Sequence, residues 1–198
     1  IVGGRLQAVC VPDEGLTQYT TPRAEFCNNT RTLHPGDTVP RTELTALLYN
    51  AGYARRAQVD GPGQFSIRGD IVDLYAPDMK LPVRMEFWGD EIDTMHTFDL
   101  ATQRREDPIE KIYVSPAREV LFGSPAEAAE LLRAFIKKFR GKKRTALEAC
   151  LATELAQLDG GALPVNMDKY LAVRYPQPAT LLDYFDDPLL VLEEPEIG

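Results

Sequence analysis

The chain has 198 residues, 44% of them hydrophobic and 26% charged, enough for one large domain or two small ones with a buried core. Twenty-two basic side chains against thirty acidic ones give a net charge of −8, which excludes a general affinity for polyphosphate. No apolar run approaches the roughly 18 residues a membrane span needs, so no membrane partner is expected.

Cys10, Cys27 and Cys150 form no CxxC, and with two histidines they make no zinc set, so the expectation is reduced thiols, no bound metal and a cytoplasmic protein. Ile1-Val2-Gly3-Gly4 matches the mature N-terminus of trypsin-like proteases. His34 lies beside Pro35 and His96 in a strand-like stretch, neither in a setting for a serine triad, so no catalytic residue is expected. A start without Met reads as a piece cut from a longer protein.

Leu6 to Val11 reads as a short strand followed by a turn at Pro12-Asp13-Glu14-Gly15. Arg41 to Ala51 reads as a helix, with Leu44, Leu47 and Leu48 on one side and Gly52 as its stop. The middle third is β-rich. Gln64 to Arg68 alternates, Gly69-Asp70 interrupts as a bulge or bend would, and Ile71 to Tyr75 resumes as an apolar strand. After a hairpin-like Pro77-Asp78-Met79-Lys80, Val83, Met85 and Phe87 share one face of a strand, while Arg84, Glu86 and Trp88 share the other. Further strands around Ile92 to Phe98 and Lys111 to Val114 complete an antiparallel sheet with one wet face.

From Ser124 the period turns helical. Ser124 is the N-cap, Pro125 the first residue and Glu127 the capping-box acid, with a stripe of Leu131, Leu132, Phe135 and Phe139 and a stop at Gly141. A second helix, opened by Thr145 to Glu148, carries Leu147, Leu151, Leu155 and Leu158. Ala179 to Tyr184 reads as a short helix and Leu189 to Leu192 as a buried strand.

Two groups of residues stand out as candidate sites. Arg84 and Trp88, with Arg68 on the wet face of a neighbouring strand, combine the two residue types most enriched at protein-interface hot spots. The plain alternative is that this face packs against helix 41–51 or another lobe, with Arg84 paired to Glu86 or Asp73. The run from Arg133 to Arg144 holds Lys137, Lys138, Arg140, Lys142, Lys143 and Arg144 with no acid, and leaves the rest of the chain at −15. It suits nucleic-acid phosphates, or equally the last turn of a helix, where cations offset the macrodipole. Within the acidic stretch 183–196 an apolar strand ends in Glu193-Glu194, as the Mg²⁺-holding strand of a nucleotide hydrolase does, but the chain has no GxxxxGK[ST] loop, so no hydrolysis is expected.

Gly63-Gln-Phe-Ser-Ile-Arg-Gly-Asp-Ile-Val-Asp-Leu-Tyr-Ala-Pro77 followed by Pro82-Val-Arg-Met-Glu-Phe-Trp-Gly-Asp-Glu-Ile-Asp93 resembles the UvrB-homology module shared by the excision-repair protein UvrB and the coupling factors of the Mfd family. The likeness continues at Ser115 to Glu119, Asp168 to Tyr170 and Ala179 to Tyr184. Stretch 160–171 lacks the tyrosine cluster of UvrB's DNA-probing hairpin, which favours the coupling-factor branch over a UvrB-type fragment contacting damaged DNA. The resemblance implies an α/β and α+β fold. Residues 1–22 would end lobe 1a, 23–121 would be an inserted antiparallel-sheet domain 2, and 122–198 would be lobe 1b of a degenerate NTPase-like α/β lobe. It also implies a monomeric bacterial module that binds UvrA through Arg68, Arg84 and Trp88. RNA polymerase, DNA, ATP and Mg²⁺ would be bound by other domains of the parent translocase, and no cofactor by this fragment.

Overall fold

The computed structural model describes residues 8–164 and 166–191. Ile1-Val2-Gly3-Gly4, the beginning of the Leu6–Val11 stretch, Leu192 and Glu193-Glu194 lie outside the described residues. Residues 8–11 are exposed and form no strand, and the expected turn at 12–15 is a short helix, α1 (Asp13–Thr17). Pro12 at its N-cap and the acids Asp13 and Glu14 in its first turn favour that start. α2 (Arg23–Asn28), β1 (Arg31–Leu33) and α3 (Arg41–Asn50) follow. α3 ends as expected at Gly52, whose φ of +85° few other residues adopt.

The central sheet has six strands in sequence order: β2 (Ala54–Arg55), β3 (Gln64–Arg68), β4 (Ile71–Tyr75), β5 (Val83–Trp88), β6 (Glu91–Phe98) and β7 (Arg105–Pro108). β2 and β3 run parallel and every other pair antiparallel. Gly69-Asp70 is neither a bulge nor a bend within one strand. Arg68 pairs with Ile71, so these two residues reverse the chain as a hairpin, and Gly89-Asp90 does the same between Trp88 and Glu91. Both loops open on a glycine at positive φ, +60° and +63°, which suits the two-residue turns of right-twisted hairpins. Bulges lie elsewhere: Asp93 is the extra residue of β6 opposite Glu86-Phe87, and the β6–β7 register shifts between His96 and Phe98. β8 (Ile112–Val114) does not join this sheet but pairs with β1 in a separate two-stranded ribbon.

The apolar face of the sheet, with Phe65, Val72, Leu74, Val83, Met85 and Phe87, packs on Leu44 and Leu48 of α3, and Leu33, Ile112 and Val114 of the ribbon close the core. Helix α3 therefore covers the face opposite Arg84. Segment 36–41 ties down both hairpin ends. Val39 N–H donates to Asp90 O at 2.7 Å, and Arg41 reaches Gly69 O at 3.1 Å and the Asp70 carboxylate.

The remainder is helical: α4 (Pro125–Lys137), α5 (Gly141–Cys150), α6 (Ala152–Asp159), α7 (Leu171–Arg174) and 3₁₀ turns at Met167–Tyr170 and Leu181–Tyr184. Ser124 Oγ accepts from Glu127 N–H at 3.1 Å as expected, but the Glu127 carboxylate reaches back one residue further, to Gly123 N–H at 2.7 Å. α4 buries Ala128, Ala129, Leu132 and Ile136 and ends at Lys137, so Gly141 is not its stop. At φ +57° Gly141 instead begins α5, and the expected single second helix is broken at Leu151. Among the described residues 122–191 contain no strand, and Leu189, Leu190 and Val191 are exposed instead of forming a buried strand. The α/β character expected of this lobe is absent from those residues: no described strand pairs with 189–191.

The N-terminal segment packs on the helical part. Thr20 and Ala179 exchange backbone hydrogen bonds at 2.7 and 3.1 Å, and the Tyr184 hydroxyl donates to Thr21 O at 2.7 Å. Where the chain leaves the sheet unit, Arg174 Nε donates to Leu121 O at 2.9 Å and Val120 N–H to Asp168 at 3.1 Å.

Candidate protein-binding face

The second face of the central sheet is organised in rows across the strands. One row runs Ser66, Asp73, Arg84, His96 and Pro108 through β3 to β7, and the next runs Arg68, Ile71, Glu86 and Thr94. Period-2 alternation puts Arg68 and Arg84 on this face, and Trp88, opposite Glu91, keeps that parity on β5. The three residues singled out by pattern therefore lie on one face, Arg68 and Trp88 each bordering a hairpin turn.

Their environments differ. Asp73 is 0% exposed, and both its oxygens are used. Arg84 Nε donates to Oδ1 at 2.6 Å and Arg84 Nη2 to Oδ2 at 2.9 Å, a bidentate pair, while Arg68 Nη2 donates to Oδ2 at 2.5 Å. The Arg84 side chain is only 15% exposed, whereas that of Arg68 is 46% exposed. Below the Arg84 guanidinium lies the Phe98 ring, 4.5 Å to its centroid, and Arg84 Nη1 donates to Gln103 O at 3.3 Å. Hydrogen bonding to Asp73 raises the affinity of Arg84 for its proton, with burial opposing. The pairing of Arg84 with Asp73, foreseen as the plain alternative, is thus present, but the cover over Arg84 comes from the 99–104 turn and not from α3. That turn is set by Asp99, whose carboxylate accepts from Thr102 N–H and Oγ1 at 2.8 Å each, contacts that hold it below the usual carboxylate range.

This face is drier at its centre than a simple wet face. Ser66, Asp73, His96 and Phe98 are buried. Ser66 Oγ, Thr94 Oγ1 and His96 Nδ1 have no hydrogen-bond partner among the described residues. His96 Nε2 meets the Arg105 guanidinium, which also reaches Glu86 at 3.5 Å. Burial, and then the charge of Arg105, lowers the His96 pKa. Trp88, at 84% exposed, lies almost wholly in solvent. Sequence reasoning placed the two arginines and the tryptophan on one face and offered Asp73 as one partner for Arg84, but missed that Arg68 shares the same carboxylate. The signal was an acid inside the apolar run Ile71-Val72-Asp73-Leu74.

The basic run is divided between two helices. Lys137 is in the last turn of α4, as the macrodipole favours, but Lys142, Lys143 and Arg144 open α5, at its positive end. The last-turn reading fails for those three. Arg133 pairs with Asp159 at 2.6 Å and Arg144 with Glu148 at 2.8 Å, while Lys137, Lys138, Arg140, Lys142 and Lys143 make no salt bridge among the described residues. No group of three or more potential metal ligands occurs among the described residues, and no described helix is long and apolar enough to cross a membrane.

Residues 32–120 match the family described as the UvrB interaction domain, a span that takes in the ribbon, α3 and the whole central sheet. The chain is 29% identical over 202 residues to a transcription-repair-coupling factor of Bacillus subtilis, covering 98% of the chain and 17% of that protein. It is 32% identical over 195 residues to one of Staphylococcus haemolyticus, covering 93% of the chain and 16% of that protein. The chain thus spans about a sixth of the length of the curated relatives it matches. With a UvrB interaction domain at 32–120 and this likeness over nearly its whole length, the chain corresponds to a region of the transcription-repair-coupling factors that carries that domain.

Proposed function

We propose that this chain is the UvrA-recruiting module of a bacterial, cytoplasmic coupling factor that links stalled RNA polymerase to nucleotide excision repair. In this reading 23–121 is the inserted docking domain, between the end of lobe 1a at 1–22 and lobe 1b at 122–198. The module works as a monomer without metal or cofactor and performs no catalysis. ATP hydrolysis, DNA translocation and polymerase binding belong to other parts of the parent protein. The observation that carries the reading is the pairing of a nearly fully exposed Trp88 with a half-exposed Arg68 on a face with a polar, buried centre. A large ring left in water costs solvation that docking recovers, and a guanidinium edge suits an acidic partner.

The test is a calorimetric titration of the chain into purified UvrA. Saturable one-site binding that Arg68→Ala, Arg84→Ala and Trp88→Ala each weaken, by roughly 2 kcal/mol at a hot spot, supports the reading. No heat and no co-elution would overturn it.

A second reading draws on the corner between α4 and α5, where five cations have no ion-pair partner among the described residues and two of them, Lys142 and Lys143, add to the positive end of a helix. It assigns that corner to nucleic-acid phosphates. Binding of a duplex oligonucleotide that weakens steeply with salt and survives Arg84→Ala supports it. Absence of binding at low salt removes it.

A further inference from the structure

We infer that Asp73 is a positioning residue of the docking face: its buried carboxylate holds Arg68 and Arg84 so that Arg68 and Trp88 meet the partner directly, while Arg84 acts through the clamp. The inference rests on the docking reading above. Asp73 sits on β4 between β3 and β5, one strand from each arginine. A carboxylate there accepts from both sides, and neither oxygen is left for solvent.

The two arginines then divide the work. Arg84 commits Nε and Nη2 to Asp73 and Nη1 to the 99–104 turn, with its flat side on Phe98, so little of its fork remains for another molecule. Arg68 gives up only Nη2 and is 46% exposed, so its Nε–H and its Nη1 hydrogens remain to donate to a partner carboxylate. Two guanidiniums on one carboxylate leave one net positive charge, which fits an acidic partner segment. Side chains locked by packing and hydrogen bonds lose less entropy on docking than free ones.

This separates positioning from simple attraction, because the two give opposite signs for Asp73→Asn. Removing the buried charge makes the face more positive, so a surface acting by charge alone would bind an acidic partner more tightly. A positioning role gives weaker binding instead. Association with UvrA at low salt is expected to be unchanged or faster, and dissociation about tenfold faster. Equal or tighter binding by Asp73→Asn, with Arg68→Ala and Trp88→Ala still defective, would overturn the positioning role and leave the docking reading intact. Full binding by Arg68→Ala and Trp88→Ala would remove both.

Folding of the variant is checked by circular dichroism, and a measurement on the unaltered chain guards against its failure. In ¹⁵N spectra the Arg84 Nε–H is expected as a separate, slowly exchanging resonance, and the Arg68 Nε–H as a faster-exchanging one that slows when UvrA is added. An Arg84 Nε–H averaged with the exposed arginines would show that the clamp does not exist.

Discussion

Asp73 and Arg84 face each other across β4 and β5, joined by two parallel hydrogen bonds at 2.6 and 2.9 Å in a place from which water is excluded on the carboxylate side. An ammonium cannot reproduce that fork. Arg84→Lys is therefore expected to destabilise the fold by about 1.5–3 kcal/mol, the range for hydrogen bonds to charged groups, despite keeping the charge. Arg84→Ala, which leaves Asp73 with Arg68 alone, should cost more, about 3–5 kcal/mol. Urea unfolding at pH 7.5 checks both. A lysine variant as stable as the parent would mean that charge alone matters at this position.

Trp88 separates binding from folding in the other direction. Being 84% exposed, it adds little to the core, so Trp88→Ala should change stability by no more than about 0.5 kcal/mol. The loss should appear in partner binding, by about 2 kcal/mol if the ring is an anchor. It is the only tryptophan in the chain, so its fluorescence reports its own surroundings. Emission at the wavelength of free tryptophan, shifting to the blue on adding UvrA, is the expected result. An unshifted spectrum at saturation would place the contact elsewhere.

The parity of this face was legible in the sequence because β3 and β5 alternate, and α3 was legible through its leucines. The register was not. Which residue of β4 faces Arg84 depends on how many residues the loop from Ala76 to Pro82 takes up, and no periodicity states that. β7 was missed because Arg105-Glu106-Asp107-Pro108 is polar and ends in proline, which reads as loop although it forms an edge strand. The pairing of β8 with β1 depends on a contact distant in sequence. In the helical part, Leu147, Leu151, Leu155 and Leu158 keep a helical spacing straight through the break at Leu151, so the pattern gave no warning of it.

His96 gives this face a dependence on pH. Its ring is buried, and Nε2 accepts from Arg105, an arrangement available only to neutral imidazole. Burial and the Arg105 charge put its folded pKa below the ordinary value near 6.5. Between the two values the unfolded chain binds more protons than the folded one, so stability rises with pH across that window. It is fully present above about pH 6.5 and is lost as pH falls toward the lowered value. Unfolding midpoints at pH 7.5 and 5.5 should differ more for the parent chain than for His96→Gln. Equal differences would show that other groups set the dependence.

Lys142 and Lys143 stand in the first turn of α5, where the unpaired N–H groups already make the helix end positive. Cations there oppose the dipole, so the double variant Lys142→Glu, Lys143→Glu should stabilise the chain, by about 0.3–1 kcal/mol per site at low ionic strength. Had these residues closed a helix, the same change would destabilise it, and a thermal melt gives the sign directly. A residue kept against a local electrostatic cost is best explained by a contact that uses its charge. If nucleic acid makes that contact, the variant should lose duplex binding while gaining stability, whereas Arg84→Ala should keep duplex binding while losing stability. Stability gained with no change in any duplex affinity would leave the two lysines as exposed solubilising charge and end the nucleic-acid reading for this corner.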